Sequence, residues 1–344
     1  MEITTKVIET IKDKEVTQIR LINDNGVEAH LITLGATWQA FLVPQADGSK
    51  KNIVLGFDTP SHYNQNGIAA GQSIGRVAGR IKNGQFSISD QDYQVAQNNN
   101  GNALHGGPNG FHRQHWDYEL VEDNDKIGVK FTYHAKEEID DFPGDMTVTA
   151  LYLLDNQNKL TVSYTATDVT KDTLFNPTNH VYFNLSDKQD LSSHELKINA
   201  EQVLESDDTL IPTGVKKEVA ATPYDFRSFK PLIPAIEATG GIDDAFLVSS
   251  KDNQPIAVLR DKDSHDTISI YSDRNALVVY TFNFPEDNVY FSRDHGLENK
   301  KHEGVAMEAQ TLPDAINHPD FGNTVIKKGE TVTHSITFSY TKEI

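Results

Sequence analysis

The chain has 344 residues and no cysteine; 24% of its residues are charged, and its formal net charge is −19. A disulfide framework, a zinc–thiolate site and a cysteine nucleophile are therefore excluded. The acidic excess argues against nucleic acid or an anionic membrane as partner, and more weakly against an anionic small molecule, since a local basic pocket overrides net charge.

The opening residues, Met1-Glu2-Ile3-Thr4-Thr5-Lys6, form no apolar signal stretch. No apolar run approaches the length of a membrane span. Together with the lack of cysteine, this sets the expectation of a cytoplasmic protein.

Nearly every periodic segment repeats every two residues. The stretch 31–40 is apolar and interrupted by Gly35; 84–95 alternates with Phe86 and Ile88 on one side; 128–134 alternates likewise. Segments 146–154 and 160–165 read as a hairpin turning at Asp155-Asn156-Gln157-Asn158. Segments 267–271 and 276–284 read as a second pair, turning at 272–275. Residues 261–266 read as a charged, solvated turn, and 59–66 as a single helical turn. In the tail, Val332, His334, Ile336, Phe338 and Tyr340 share one face, with threonines and serines on the other. Strands without long intervening helices predict an all-β fold, a large sandwich or barrel-like body with few short helices. No repeat and no Pro/Gly/Ser linker divides the chain, so residues 1–344 are read as one domain.

Three segments carry candidate chemistry. In Asn176-Pro177-Thr178-Asn179-His180-Val181-Tyr182-Phe183, a turn-like start leads an imidazole onto a strand. His105 precedes Gly106-Gly107, where backbone or ligand has room to approach. Glu308 sits in an apolar run between Met307 and Ala309, so strand alternation aims it at either a pocket or solvent. Two imidazoles and an apolar-flanked carboxylate point to acid–base chemistry with no metal or cofactor.

Other groups have plainer readings. His112 and His115 are three apart, but no further ligand stands at a recognised spacing, which argues against a metal site. His334, on the apolar face of the tail, reads as structural. Asp243 and Asp244 follow Gly241-Ile242 and suit either an Asx-type turn or acceptance of hydrogen bonds from substrate hydroxyls. Arg76 and Arg80, four apart, suit either salt bridges or a binding site.

Taken in order, these segments resemble the aldose 1-epimerases, the galactose mutarotase family. The resemblance is carried by G-R-V-A-G-R-I at 75–81, L-H-G-G at 104–107 with Gly110-Phe111 and Trp116, and F-P-G-D at 142–145. It continues through N-P-T-N-H-V-Y-F-N-L at 176–185, I-P-T-G at 211–214, G-I-D-D at 241–244 and the Glu308 segment. It implies a large β-sandwich of the galactose mutarotase type with an open cleft, and interconversion of the α and β anomers of free aldohexoses such as galactose and glucose.

By the same resemblance, Glu308 is the general base at the anomeric hydroxyl and His180 the general acid at the ring oxygen. His105 and Arg80 position the sugar, Asp243 accepts its hydroxyls, and an aromatic of 280–284 stacks under it. No cofactor is implied, and the partner is a small sugar; monomer and homodimer are both compatible. Two departures stand out: Gly79 replaces a common Asn, and Asp140-Asp141 precedes the F-P-G element where glycine is common. The alternatives are a hexose-6-phosphate 1-epimerase and a non-catalytic carbohydrate-binding protein on the same scaffold.

Overall fold

Alternation along the chain resolves into three large antiparallel sheets. The computed structural model describes residues 1–123, 125–249 and 254–342. A five-stranded sheet forms in chain order from Glu2–Ile11, Lys14–Ile22, Glu28–Ile32, Thr37–Pro44 and Lys50–Asn52. A nine-stranded sheet runs from Asp117–Asp123 through Lys126–Ala135, Met146–Asp155 and Lys159–Thr167 to the tail strand Val332–Lys342. It then continues through Asp266–Ser272, Ala257–Asp261, His194–Ile198 and Lys230–Pro231. A six-stranded sheet orders Tyr182–Phe183, Val305–Gln310, Ala276–Tyr280, Asp243–Val248, Ala200–Ser206 and Pro212–Glu218.

The inward faces of these sheets meet in one apolar core. Phe131, Val148, Tyr152 and Phe338 come from the nine-stranded sheet, Phe246, Leu277 and Met307 from the six-stranded sheet, and Leu31, Trp38 and Phe41 from the five-stranded sheet. The all-β sandwich read from the alternation is thus the fold. Among the described residues α-helix is confined to the short Glu137–Asp140 and to Leu232–Thr239, which buries Leu232, Ala235 and Ile236, and the 59–66 segment forms a 3-10 turn at Pro60–Asn64. No helix of the described residues is long and apolar enough to cross a membrane.

The tail behaves as its pattern predicts. Ile336, Phe338 and Tyr340 are buried, and His334 stacks on Phe175 with ring centroids 5.9 Å apart. On the other face its hydroxyls pair with the neighbouring strand: Thr161 with Thr337, Ser163 with Ser335 and Thr165 with Thr333, at 2.8–2.9 Å. The 146–167 hairpin also forms as expected.

Four local expectations are corrected. Strands Asp266–Ser272 and Ala276–Tyr280 both exist but do not pair; the first joins the nine-stranded sheet and the second the six-stranded one, so the turn between them crosses the sandwich. The second also stops at Tyr280 rather than Phe284. The 84–95 stretch is a hairpin, Gln85–Ile88 with Gln91–Gln94, because Ser89 and Asp90 both take positive φ. The 261–266 turn buries the carboxylates at both of its ends: Asp266 pairs with Lys51 at 2.6 Å and accepts the Tyr340 hydroxyl at 2.7 Å. Finally, Asn176 does not start a turn. It lies in extended chain bridged to Val77, and Thr178–Asn179 pairs with Ser73–Ile74.

Candidate active site

Strand Val305–Gln310 is buried along its whole length, yet its two faces differ. Val305, Met307 and Ala309 enter the sandwich core. Ala306, Glu308 and Gln310 face the other way, onto the outer surface of the six-stranded sheet. Its neighbours there are set by register: Val278 lies opposite Glu308, Ala276 opposite Gln310, Tyr280 opposite Ala306, and Asp243 opposite Tyr280 on the next strand. Loops from the other sheets wall this face into a cleft of about 560 Å³, lined among others by Arg80, His105, His180, Asp243, Tyr280 and Glu308. The five residues to which the resemblance gives roles, Arg80, His105, His180, Asp243 and Glu308, therefore meet at one place.

His180 is held by the chain on both sides of it. Asn176 accepts the Thr311 N–H at 3.0 Å and donates to the Thr311 carbonyl at 3.1 Å, while Thr178 donates to the Ala309 carbonyl at 2.9 Å. Asn179 donates to the Gly71 carbonyl and to the Tyr152 hydroxyl. The His180 N–H donates to Gln72, and its carbonyl accepts from Gly71. These bonds run the 176–183 segment alongside the Glu308 strand. His180 Nε2 then stands 3.4 Å from Glu308 Oε1. Glu308 Oε2 and His180 Nδ1 have no hydrogen-bond partner among the described residues.

His105 reaches the cleft through the glycine turn. A Cβ on Gly106 would lie 1.9 Å from the Gly75 carbonyl oxygen, so only glycine permits this close approach. The Gly79 N–H donates to His105 Nδ1 at 3.3 Å, which places the ring proton of neutral His105 on Nε2. The His105 and His180 rings meet edge to face, with centroids 5.2 Å apart. Arg80 donates to Asn99 at 3.1 Å and is half-buried.

Burial dominates the electrostatics. It pushes the His180 pKa down to about 4. It pushes His105 well below the ordinary range, with the charges of His180, His112 and Arg80 acting the same way. Burial, and next the Asp243 carboxylate, hold Glu308 well above its ordinary value, with Arg80 opposing. Asp243 is raised by burial and pulled back by Arg80. Burial thus works against charge on both members of the Glu308–His180 pair, and so against the ion pair that a resting Glu308 base and His180 acid would form.

Several residues that line the cleft were not legible. Of the three aromatics in 280–284, Phe282 is committed to an apolar cluster with Tyr182 and Phe291, Tyr280 is half-buried beside Asp243, and Phe284 is 69% exposed at the rim. Gln310 also lines the cleft; it lies two residues from Glu308 and so shares its face, the one signal in the sequence that marks it. Arg76 is not in the cleft: its side chain is fully buried and paired with Asp140. His112 is buried, with its carbonyl accepting from Gln72, whereas His115 is half-buried beside Leu34. The two departures have structural counterparts: Gly79 has φ 72° and borders the cleft, and Asp141 takes φ 64°, the left-handed conformation that glycine favours.

Comparison with known proteins agrees with this geometry. The aldose 1-epimerase family profile matches residues 17–339. An aldose 1-epimerase of Streptococcus thermophilus is 48% identical over 343 residues, 99% of each chain. A maltose epimerase of Levilactobacillus brevis is 37% identical over 349 residues, the full length of both. The crystal structure of a galactose 1-epimerase from Lactobacillus acidophilus superposes with a TM-score of 0.87 at 27% identity, covering 100% of this chain and 99% of that one. The chain belongs to the aldose 1-epimerase family.

Proposed function

We propose that the cleft binds a free aldohexose such as galactose or glucose and that Glu308 and His180 open and close its ring. The protein is an aldose 1-epimerase, so the reaction to be explained is exchange of the two anomers. Glu308 removes the proton of the anomeric hydroxyl, the C1–O5 bond breaks as C1=O1 forms, and His180 delivers a proton to the ring oxygen. The free aldehyde rotates about C1–C2 and recloses on its other face, with the two groups exchanging roles. No electrons leave the sugar and no bond to the protein forms.

The single observation that carries this reading is the 3.4 Å approach of His180 Nε2 to Glu308 Oε1 at the cleft floor, each side chain with its other polar atom unpartnered. The pair shares one proton across this gap, and that proton stands on His180 when the ring opens. Both forms of the pair hold one proton, so turnover depends on that total and not on the resting location. Arg80 and His105 donate to sugar oxygens, and Asp243 accepts from sugar hydroxyls. The continuous core shared by the three large sheets supports reading residues 1–344 as one domain.

A phosphorylated sugar suits the cleft poorly. Arg80 is the one Lys or Arg among the described residues lining it, against Asp208, Asp243, Glu286 and Glu308. Arg76, the second cation considered for a phosphate, is buried against Asp140.

Polarimetry of freshly dissolved α-galactose tests the assignment. Wild type accelerates the approach to equilibrium, and Glu308→Gln loses about 10²–10⁴-fold in kcat, the usual contribution of a positioned acid–base group. The rate falls near pH 4, where the pair gains a second proton on His180, and falls again at the alkaline end, where the pair loses the proton it shares. Near-wild-type turnover by Glu308→Gln would remove Glu308 from the mechanism. Acceleration only with glucose 6-phosphate would favour the phosphosugar reading, and acceleration with neither sugar would favour a binding protein.

A further inference from the structure

We propose that Gln310 is a substrate-binding residue that holds the hydroxyl next to the anomeric carbon. The proposal rests on the reading of Glu308 as the group at the anomeric hydroxyl. Gln310 lines the cleft and is fully buried, yet neither its amide oxygen nor its amide nitrogen has a hydrogen-bond partner among the described residues. A primary amide carries two donors and an acceptor with two lone pairs, and buried amides are ordinarily bonded.

Its protein neighbours cannot meet that need. The residue opposite it is Ala276, and the floor beyond is built from Leu312, Ala245 and Leu247. On its other side the Thr178 hydroxyl is already given to the Ala309 carbonyl. In front of the amide stands Gly79: a Cβ built there would meet Pro313 at 3.2 Å and lie 3.7 Å from Gln310 Nε2. The Gly79 N–H is itself committed to His105. The amide therefore lines the cleft with its donors and acceptor unspent among the described residues, and a hydroxyl, both donor and acceptor, complements it.

Position selects the hydroxyl. Asp243 lies across the sheet at the level of Ala306, two residues from Glu308 in one direction, whereas Gln310 lies two residues away in the other. With O1 on Glu308 and the remote hydroxyls toward Asp243, Gln310 sits at the anomeric end of the sugar. The ring oxygen faces His180 there, and the remaining polar group is the 2-hydroxyl.

The test crosses enzyme with substrate. Polarimetric kcat/KM is measured on galactose and 2-deoxygalactose for wild type and Gln310→Met, which keeps length and removes the amide. Wild type prefers galactose by about 10-fold or more, and Gln310→Met loses about 10-fold on galactose, mainly in KM, while staying within about twofold on the deoxy sugar. Equal losses on both sugars would overturn the proposal and leave Gln310 as packing. Should Gln310→Met not fold, the wild-type preference decides alone, and its absence overturns the proposal. Glu308→Gln, assayed beside these, separates the two ideas: an inactive Glu308→Gln with equal losses at Gln310 refutes only the role of Gln310.

Discussion

Arg76 and Arg80 stand four residues apart and have opposite surroundings. The Arg76 guanidinium makes a two-pronged pair with Asp140 at 2.7 and 3.0 Å. It also donates to the Gly144 carbonyl at 2.8 Å, to Thr173 at 3.2 Å and to the Pro143 carbonyl at 3.3 Å. Among the described residues Arg80 makes one side-chain hydrogen bond, to Asn99, and the charges of Asp243 and Glu308 act on it from the same cleft. A buried charge that is saturated by protein has nothing left to offer a ligand. One left under-bonded at a cleft does, and the difference separates scaffold from site more sharply than residue type does.

The largest effect should come from breaking the saturated partner. Arg76→Ala leaves the Asp140 carboxylate buried without its counter-charge and is expected to destabilise the fold by about 3–5 kcal/mol, read by urea denaturation. The folded fraction should keep its kcat/KM within about threefold, because Arg76 does not reach the cleft. Replacing both partners, Arg76→Met with Asp140→Leu, should recover much of the loss. A large fall in kcat with intact stability would erase the distinction between the two arginines.

That distinction was invisible in the sequence, because Asp140 lies 64 residues from Arg76 and no local pattern announces it. Alternation identified strands wherever one face meets the core, as in 146–167 and the tail. It could not show that 267–271 and 276–284 belong to different sheets, since a short turn looks the same whether it closes a hairpin or crosses a sandwich. Glu308 stood out because a carboxylate between Met307 and Ala309 needs an explanation. Gln310, on the same face, did not, since a strand glutamine reads as solvent-exposed until the loops that wall the cleft are known. Asp141 illustrates the converse: it departs from a common glycine but takes the same left-handed backbone, while Asp140 beside it anchors Arg76.

A smaller effect is expected from Arg80. Arg80→Met should change stability by no more than about 1 kcal/mol, since the side chain is only half-buried and singly bonded among the described residues. The KM for galactose should rise about 10-fold with a lesser change in kcat, the signature of a group that binds substrate and transition state alike. Losing Arg80 also removes the positive charge that opposes the upward shifts of Glu308 and Asp243. The alkaline end of the rate profile should therefore move further up in pH. A stability loss as large as that of Arg76→Ala, with KM unchanged, would place Arg80 with the scaffold.

Glu303 refines the contrast, because it is under-bonded but outside the cleft. Its side chain is fully buried; Oε2 accepts the Lys300 N–H at 2.8 Å, and Oε1 has no partner among the described residues while both carboxyls are charged, whereas protonation gives the side chain a hydrogen bond with Asp294. Burial, and then the neighbouring Asp294, raise its pKa above the ordinary 4.5, with the Arg293 guanidinium opposing. The folded protein therefore holds a proton that the unfolded chain releases once the pH passes 4.5. Since the folded state binds more protons in that window, stability must fall as pH rises from 4.5 through the raised pKa. Glu303→Gln keeps the shape without the titration, so its Tm relative to wild type should climb steadily over the same range. Its mutarotation rate should match wild type within about twofold, because Glu303 does not line the cleft. A flat Tm difference would mean that Glu303 is charged in the folded state, and a large rate loss would mean that under-bonding alone, away from the cleft, marks a group the reaction uses.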